Sequence, residues 1–304
     1  MKIQLLQPHP KFQAPTQGFV WPPRNSELGE NRGVEQDFLY WILNQDVLAS
    51  SPYEANWGYC PIFHNRWYLG NNDEDGHWGG STADRAALQE EIDRLWESWQ
   101  GPWFTISEAD IRVLQPYLDF HDMVVFCGSR RDEGTGIDIP LLSAPHPIQR
   151  QSKQYLASFL GHMQTDGTRI RMNEELEGRA DCRIEHANHG PDEFAKNILQ
   201  SYIALAPRGQ GMQSFRFYEA MQLGTVPLYL SDVDCRPFQK WIDWDSCSLY
   251  RNTTDGLGDY LDSLDKQELL DMGQQSFIVH RDQIGYGQWC RYVVKELKCL
   301  LQYG

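Results

Sequence analysis

Residues 202–232 constrain the fold more tightly than any other stretch of the chain. They read as an apolar run (202–207), a loop with Gly209 and Gly211, a helical run (214–223) stopped by Gly224, and a second apolar run (225–230). Two short apolar runs joined through one helix imply parallel strands, because parallel neighbours need a long crossover. Pro227 cannot donate to a ladder, so the second strand is expected at a sheet edge or with a bulge.

The same rhythm runs through the rest of the chain. Strands are expected at 2–6, 58–63, 103–107, 123–128 and 138–142, with helices at 33–49 and 82–99. Residues 143–153 hold two prolines and no periodicity, which marks a linker. The pattern then restarts with a strand at 155–161, a helix around 189–201 and a final helix at 288–302. The expected fold is α/β with two Rossmann-like parallel-sheet domains, 1–150 and 151–285. Residues 286–304 would form a helix crossing back to the first domain. A length of 304 residues suits two cores of ordinary size.

In an open parallel sheet, ligands sit at the C-terminal strand ends. The first run delivers Arg208 to that edge, and Gly209 and Gly211 let the backbone approach a ligand. The helix that begins near Ser214 offers unpaired N–H groups and a partial positive charge. Arg208 and Arg216 add forked cationic donors suited to phosphate. Each charge-assisted bond contributes roughly 1.5–3 kcal/mol when shielded from water. Glu219 would be repelled by phosphate, and a ribose diol is its natural partner, since a carboxylate accepts two hydroxyl hydrogens. The competing reading is a surface Arg216–Glu219 pair at i,i+3 spacing. Neither a Walker motif nor G-x-G-x-x-G occurs, which speaks against nucleotide kinases and simple dehydrogenases.

This stretch resembles the C-terminal half of exostosin-like glycosyltransferases. The matching residues are Pro207-Arg208-Gly209, Ser214, Arg216, Glu219-Ala220, Gly224, Pro227, Pro237-Phe238 and Asp243-Trp244. The resemblance implies the GT-B arrangement of two facing Rossmann-like domains, a nucleotide-sugar donor (usually UDP-linked), a glycan acceptor and inversion at the anomeric carbon. By analogy, Arg208 and Arg216 hold the diphosphate, Ser214 donates to it, and Glu219 binds the ribose. The family's aromatic-Asn-Arg and Asp-His-Phe signature is not clear in the N-terminal half.

Inverting transfer needs a base for the acceptor hydroxyl, expected from the N-terminal domain. Asp73 and then His64 are the candidates, on a loop that also reads as a solvated turn. Trp67 and Trp78 flank that loop and could offer flat faces to a sugar. Trp96 and Trp99 fall on the apolar side of the 82–99 helix and are expected in the core. Arg130 and Arg131 could steer an anion.

The formal net charge of −15 argues against a nucleic-acid surface. No window reaches the ~18 apolar residues of a membrane span. No signal pattern opens the chain and no C-x-x-C pair occurs among seven cysteines, so a cytoplasmic protein with reduced thiols is expected. Asp232-Val233-Asp234 and Asp73-Glu74-Asp75 resemble a metal-binding D-x-D, and Cys182, His186 and His189 have loose ligand-like spacing. The arginines and helix dipole would supply the charge a metal supplies, so no metal or other cofactor is expected beyond the UDP-sugar co-substrate. Two alternatives remain: a metal-dependent transferase using Asp232 and Asp234, and a carbohydrate-binding scaffold without activity.

Overall fold

The structure, a computed structural model, describes residues 1–12, 33–62, 82–108, 118–128, 136–143, 145–146, 151–186 and 190–303. It is α/β, with two five-stranded sheets whose paired strands are all parallel. This is the two-sheet GT-B plan that the resemblance implies.

The first sheet runs β1 (Ile3–Leu5), β2 (Trp57–Tyr59), β3 (Trp103–Ser107), β4 (Val124–Cys127) and β5 (Ile137–Asp138), in that spatial order. Leu48 makes a single parallel bridge to Ile3 on the far side of β1. Alternation along the strands sorts side chains to two faces. On one face α1 (Val34–Ile42) sets Phe38 against Tyr59 and Phe104, with ring centroids 5.1 and 5.9 Å apart. On the other, α2 (Thr82–Ser98) packs Leu88, Ile92 and Leu95 with Cys60, Trp103 and Val125. The expected helix over 33–49 stops at Ile42, because the chain must turn to bring Leu48 beside β1. Trp96 is corrected: it is 43% exposed, since Leu95 takes the inward position and Trp96, one residue on, is turned by about 100° to stack on His121 at 4.4 Å.

The second sheet holds β6 (Tyr155–Leu160), β7 (Cys182–Glu185), β8 (Ser201–Pro207), β9 (Val226–Leu230) and β10 (Leu249–Arg251), in the order β10-β9-β8-β6-β7. Along β8, Ile203 and Leu205 join Met172 of α3 (Gly167–Glu175) and Leu176, which caps it, in one core. Ala204 turns to the other face, against α4 (Pro191–Leu199) and α5 (Phe215–Gln222). Helices α6 (Leu257–Asp262) and α7 (Lys266–Val279) follow β10.

Gly224 ends α5 with φ +70°, its N–H bonded to Met221 and that of Thr225 to Ala220. This is the paired closure that favours glycine just past a helix. The expectation for Pro227 is corrected: β9 is an inner strand, and Pro227 pairs in register with Ala204 of β8. It is tolerated because β10 begins pairing only at Leu228, one residue later.

A π-helical turn (His280–Ile284) leads from α7 to α8 (Cys290–Tyr303), which packs on α1 of the first sheet. Asp37 of α1, buried, accepts hydrogen bonds from the Gly287 N–H at 2.7 Å and Trp289 Nε1 at 2.9 Å. Among the described residues, no helix is long and apolar enough to cross a membrane.

Candidate functional site

The strand order of the second sheet builds a crevice. From β6 the chain steps to β7 on one side, then crosses to β8 on the other. The connections leaving β6 and β8 diverge to opposite faces, and the gap between them is where open α/β sheets bind ligands. Leu160 and Pro207 end the two strands, so residues 161–167 and 208–214 form its walls.

Three arginines straddle this gap. Arg216, in the first turn of α5, folds back so that Nη2 donates to the Leu160 carbonyl. Its guanidinium lies 4.2 Å from the centre of the Phe159 ring and 5.5 Å from that of Phe194. Gly161 leaves room for this pose, because a Cβ there would stand 2.5 Å from Nη2 and push the guanidinium aside. Burial pushes the Arg216 pKa down to about 10, Glu219 opposes that, and Arg169 adds to it. Arg169, in the first turn of α3, donates through Nε to the Arg208 carbonyl at 3.0 Å. Its Nη1 reaches the His162 carbonyl at 2.8 Å. Burial lowers its pKa too, against the opposing charge of Asp166.

Neither Arg169 nor Arg216 has a carboxylate within ion-pair distance among the described residues. Desolvated cations held outside any ion pair, with Glu219 and Asp166 acting only at a distance, are costly unless an anion joins them. Arg208 differs, since its Nη1 contacts both oxygens of Asp232 at 2.8 and 2.9 Å. Burial alone would raise the Asp232 carboxyl, yet the Arg208 contacts hold it below the usual range.

Ser214 stands at the start of α5, and its hydroxyl makes no capping bond. Gly209 lies beside Arg169, whose Nη2 is 3.5 Å from where a Cβ would be. Neither Gly209 nor Gly211 takes a positive φ, so the loop uses them for space rather than for left-handed backbone. Arg216 and Glu219 form no ion pair. Glu219 Oε1 instead lies 3.2 Å from His146 Nε2, a partner from the linker that the sequence reading missed. Gln213, one residue before Ser214, reaches across to the first sheet with a 3.1 Å bond to the Ile139 carbonyl. It also accepts a hydrogen bond from the Tyr218 hydroxyl. The crevice therefore opens toward the first domain.

A sequence model of the Exostosin GT47 domain matches residues 2–256. The chain belongs to the exostosin GT47 family. It is 33% identical over 157 residues to an Exostosin-1 homolog of Caenorhabditis elegans, covering 40% of this chain and 41% of that protein. It is 30% identical over 152 residues to Exostosin-1 of Drosophila melanogaster, covering 38% and 20%. A probable arabinosyltransferase, ARAD1 of Arabidopsis thaliana, is 22% identical over 245 residues, 70% of this chain and 55% of that one. The matches thus span well under half the length of the exostosin-1 relatives. Among solved structures, TarM superposes with a TM-score of 0.42 at 8% identity, over 84% of this chain and 52% of its own. AviGT4, described as a glycosyltransferase of avilamycin A biosynthesis, gives 0.39 at 12% identity, over 100% and 98%.

Within this GT47 chain, the motif residues Arg208, Gly209, Gly211, Ser214, Arg216 and Glu219 gather on one side of the crevice. Both carboxylates of the 232–234 D-x-D are engaged by guanidinium groups, Asp232 by Arg208 and Asp234 by Arg236 at 2.8 Å. Cys182 and His186 belong to no group of three metal-ligating residues among the described residues, and His186 Nδ1 accepts the Met163 N–H. His64, Trp67, Asp73, Trp78, Arg130, Arg131 and His189 lie outside the described residues. Arg169 was missed because nothing local in "DGTRIRM" signals a partner 39 residues away.

Proposed function

We propose that the chain transfers a sugar from a nucleotide diphosphate, UDP first among the carriers, to a hydroxyl of a glycan acceptor, with inversion at the anomeric carbon. The observation that carries this reading is the pair of guanidinium groups, Arg169 and Arg216, desolvated and outside any ion pair among the described residues at the crevice between β6 and β8. The diphosphate would lie against them and the open start of α5. It would be held more tightly as its negative charge grows on departure. Ser214 would donate to a phosphate oxygen and Glu219 would accept from the ribose. The acceptor and the general base would come from the first domain, with Asp73 and His64 the candidates.

Arginine charge serves where a metal would otherwise stand, so no metal is needed in this scheme. The pairing of Asp232 and Asp234 with arginines speaks against their use as metal ligands. Calorimetry with UDP, followed by a thermal-shift screen of nucleotide sugars, tests the reading. A specific donor raises the melting temperature by mass action. Absence of UDP binding would refute the proposal and favour a scaffold, and activity abolished by EDTA would favour the metal-dependent alternative.

A further inference from the structure

The segment that joins the two sheets does more than connect them. His146, from that segment, lies over α5. Its backbone N–H bonds Gln222 Oε1 at 2.6 Å, and its ring centre is 5.6 Å from that of Phe194. Phe194 also borders the Arg216 guanidinium, so His146, Phe194, Arg216 and Glu219 form one chain of neighbours. His146 Nε2 is 3.2 Å from Glu219 Oε1, with the two side chains 9% and 19% exposed. A carboxylate only accepts, so Nε2 carries the proton and donates it. Glu219 Oε2 makes no hydrogen bond to the described residues.

We propose that His146 is a positioning residue for ribose recognition: it pins one oxygen of Glu219 and turns the other toward the hydroxyls of a bound nucleotide. This inference rests on the donor reading above. Without the pin, the half-buried Glu219 side chain samples several rotamers, and ordering it on binding costs affinity. His146 thereby takes part in reading the donor through Glu219 rather than by a contact of its own.

The test compares UDP, 2′-deoxy-UDP and inorganic pyrophosphate by calorimetry on the wild type, His146→Ala and His146→Gln. The wild type should prefer UDP over 2′-deoxy-UDP about tenfold, the value of one hydrogen bond to a charged group. His146→Ala should bring the two nucleotides to within about twofold, while pyrophosphate affinity, set by the arginines, stays unchanged. His146→Gln, whose amide can donate to the same oxygen, should restore most of the preference. An undiminished preference in His146→Ala overturns the inference and leaves the donor site standing. A wild type that binds UDP with no preference for the ribose 2′-hydroxyl also overturns it. A wild type that binds neither UDP nor pyrophosphate refutes the donor reading itself.

Discussion

The two sheets share strand count and direction, and they differ in how charge is arranged at their edges. Just beyond β1, a cleft of about 720 Å³ is lined by Gln7, His9, Lys11, Phe12, Glu91 and Arg94. There the charges answer each other: Glu91 accepts from Arg94 and from the His9 N–H, both at 2.6 Å. Burial would raise the Glu91 carboxyl, and those bonds hold it below its usual range. Beyond β6 and β8, Arg169 and Arg216 form no ion pair among the described residues, and Asp166 and Glu219 act on them only from a distance. Space alone does not make an anion site. On the donor reading proposed above, desolvated charge outside any ion pair at a strand-order reversal does.

Four measurements would break or sharpen this contrast. The largest effect concerns the tie between the sheets. Asp37→Ala removes the acceptor of Gly287 and Trp289 and strands two buried donors. It should cost about 3 kcal/mol of stability in urea unfolding, and an unchanged midpoint would show that α8 is not held this way. Next, Arg216→Ala should raise the dissociation constant for UDP roughly 30- to 150-fold. Arg94→Ala, in the balanced cleft, should leave it within about twofold. Equal losses in the two variants would erase the distinction drawn between the clefts.

A third measurement uses pH. Lys153, just before β6, donates to the Ser201 carbonyl at 2.6 Å and to Thr225 Oγ1 at 3.2 Å, and burial pushes its pKa down to about 8. Lysine can shed its charge in such a place, whereas arginine stays charged. The folded state then binds fewer protons than the unfolded chain between pH 8 and the ordinary lysine value of 10.5, so stability rises with pH across that window. The rise from pH 7 to pH 10 should be smaller by about 1–2 kcal/mol in Lys153→Met, read from urea curves. The smallest effect is expected for Asp232→Asn. It frees Arg208 and should change UDP affinity by no more than about threefold, in the tighter direction. A large loss of activity in that variant, together with EDTA sensitivity, would make Asp232 a metal ligand instead.

Legibility followed burial. The central strands β6, β8 and β9 read directly from their apolar runs, and Gly224 marked the end of α5. The edge strands β7 and β10 escaped, because Cys182–Glu185 and Leu249–Arg251 are half-buried throughout and mix polar with apolar residues. Helix α3 escaped as well: its buried positions Thr168 and Met172 are separated by charged side chains, which masks the stripe. At the site, one contiguous motif supplied Arg208, Ser214, Arg216 and Glu219. Arg169 and His146 arrive from 39 and 73 residues away, on connections whose spacing carries no periodic signal. Local pattern reveals what one segment does alone, and only the fold reveals which segments meet.

The docking of α8 on α1 bears on how the protein is made. Phe38 lies 5.9 Å from Trp289 in ring separation, and Cys290, Val293 and Leu297 join the same core. The Asp37–Gly287 bond closes across 250 positions. During synthesis the α1 side of the first sheet therefore emerges some 250 residues before the segment that covers it. The second sheet, complete once α7 is out, can close while the older half still waits with aromatic surface open to solvent. The half translated first finishes folding last, and that interval is when a holding chaperone would have most to grip.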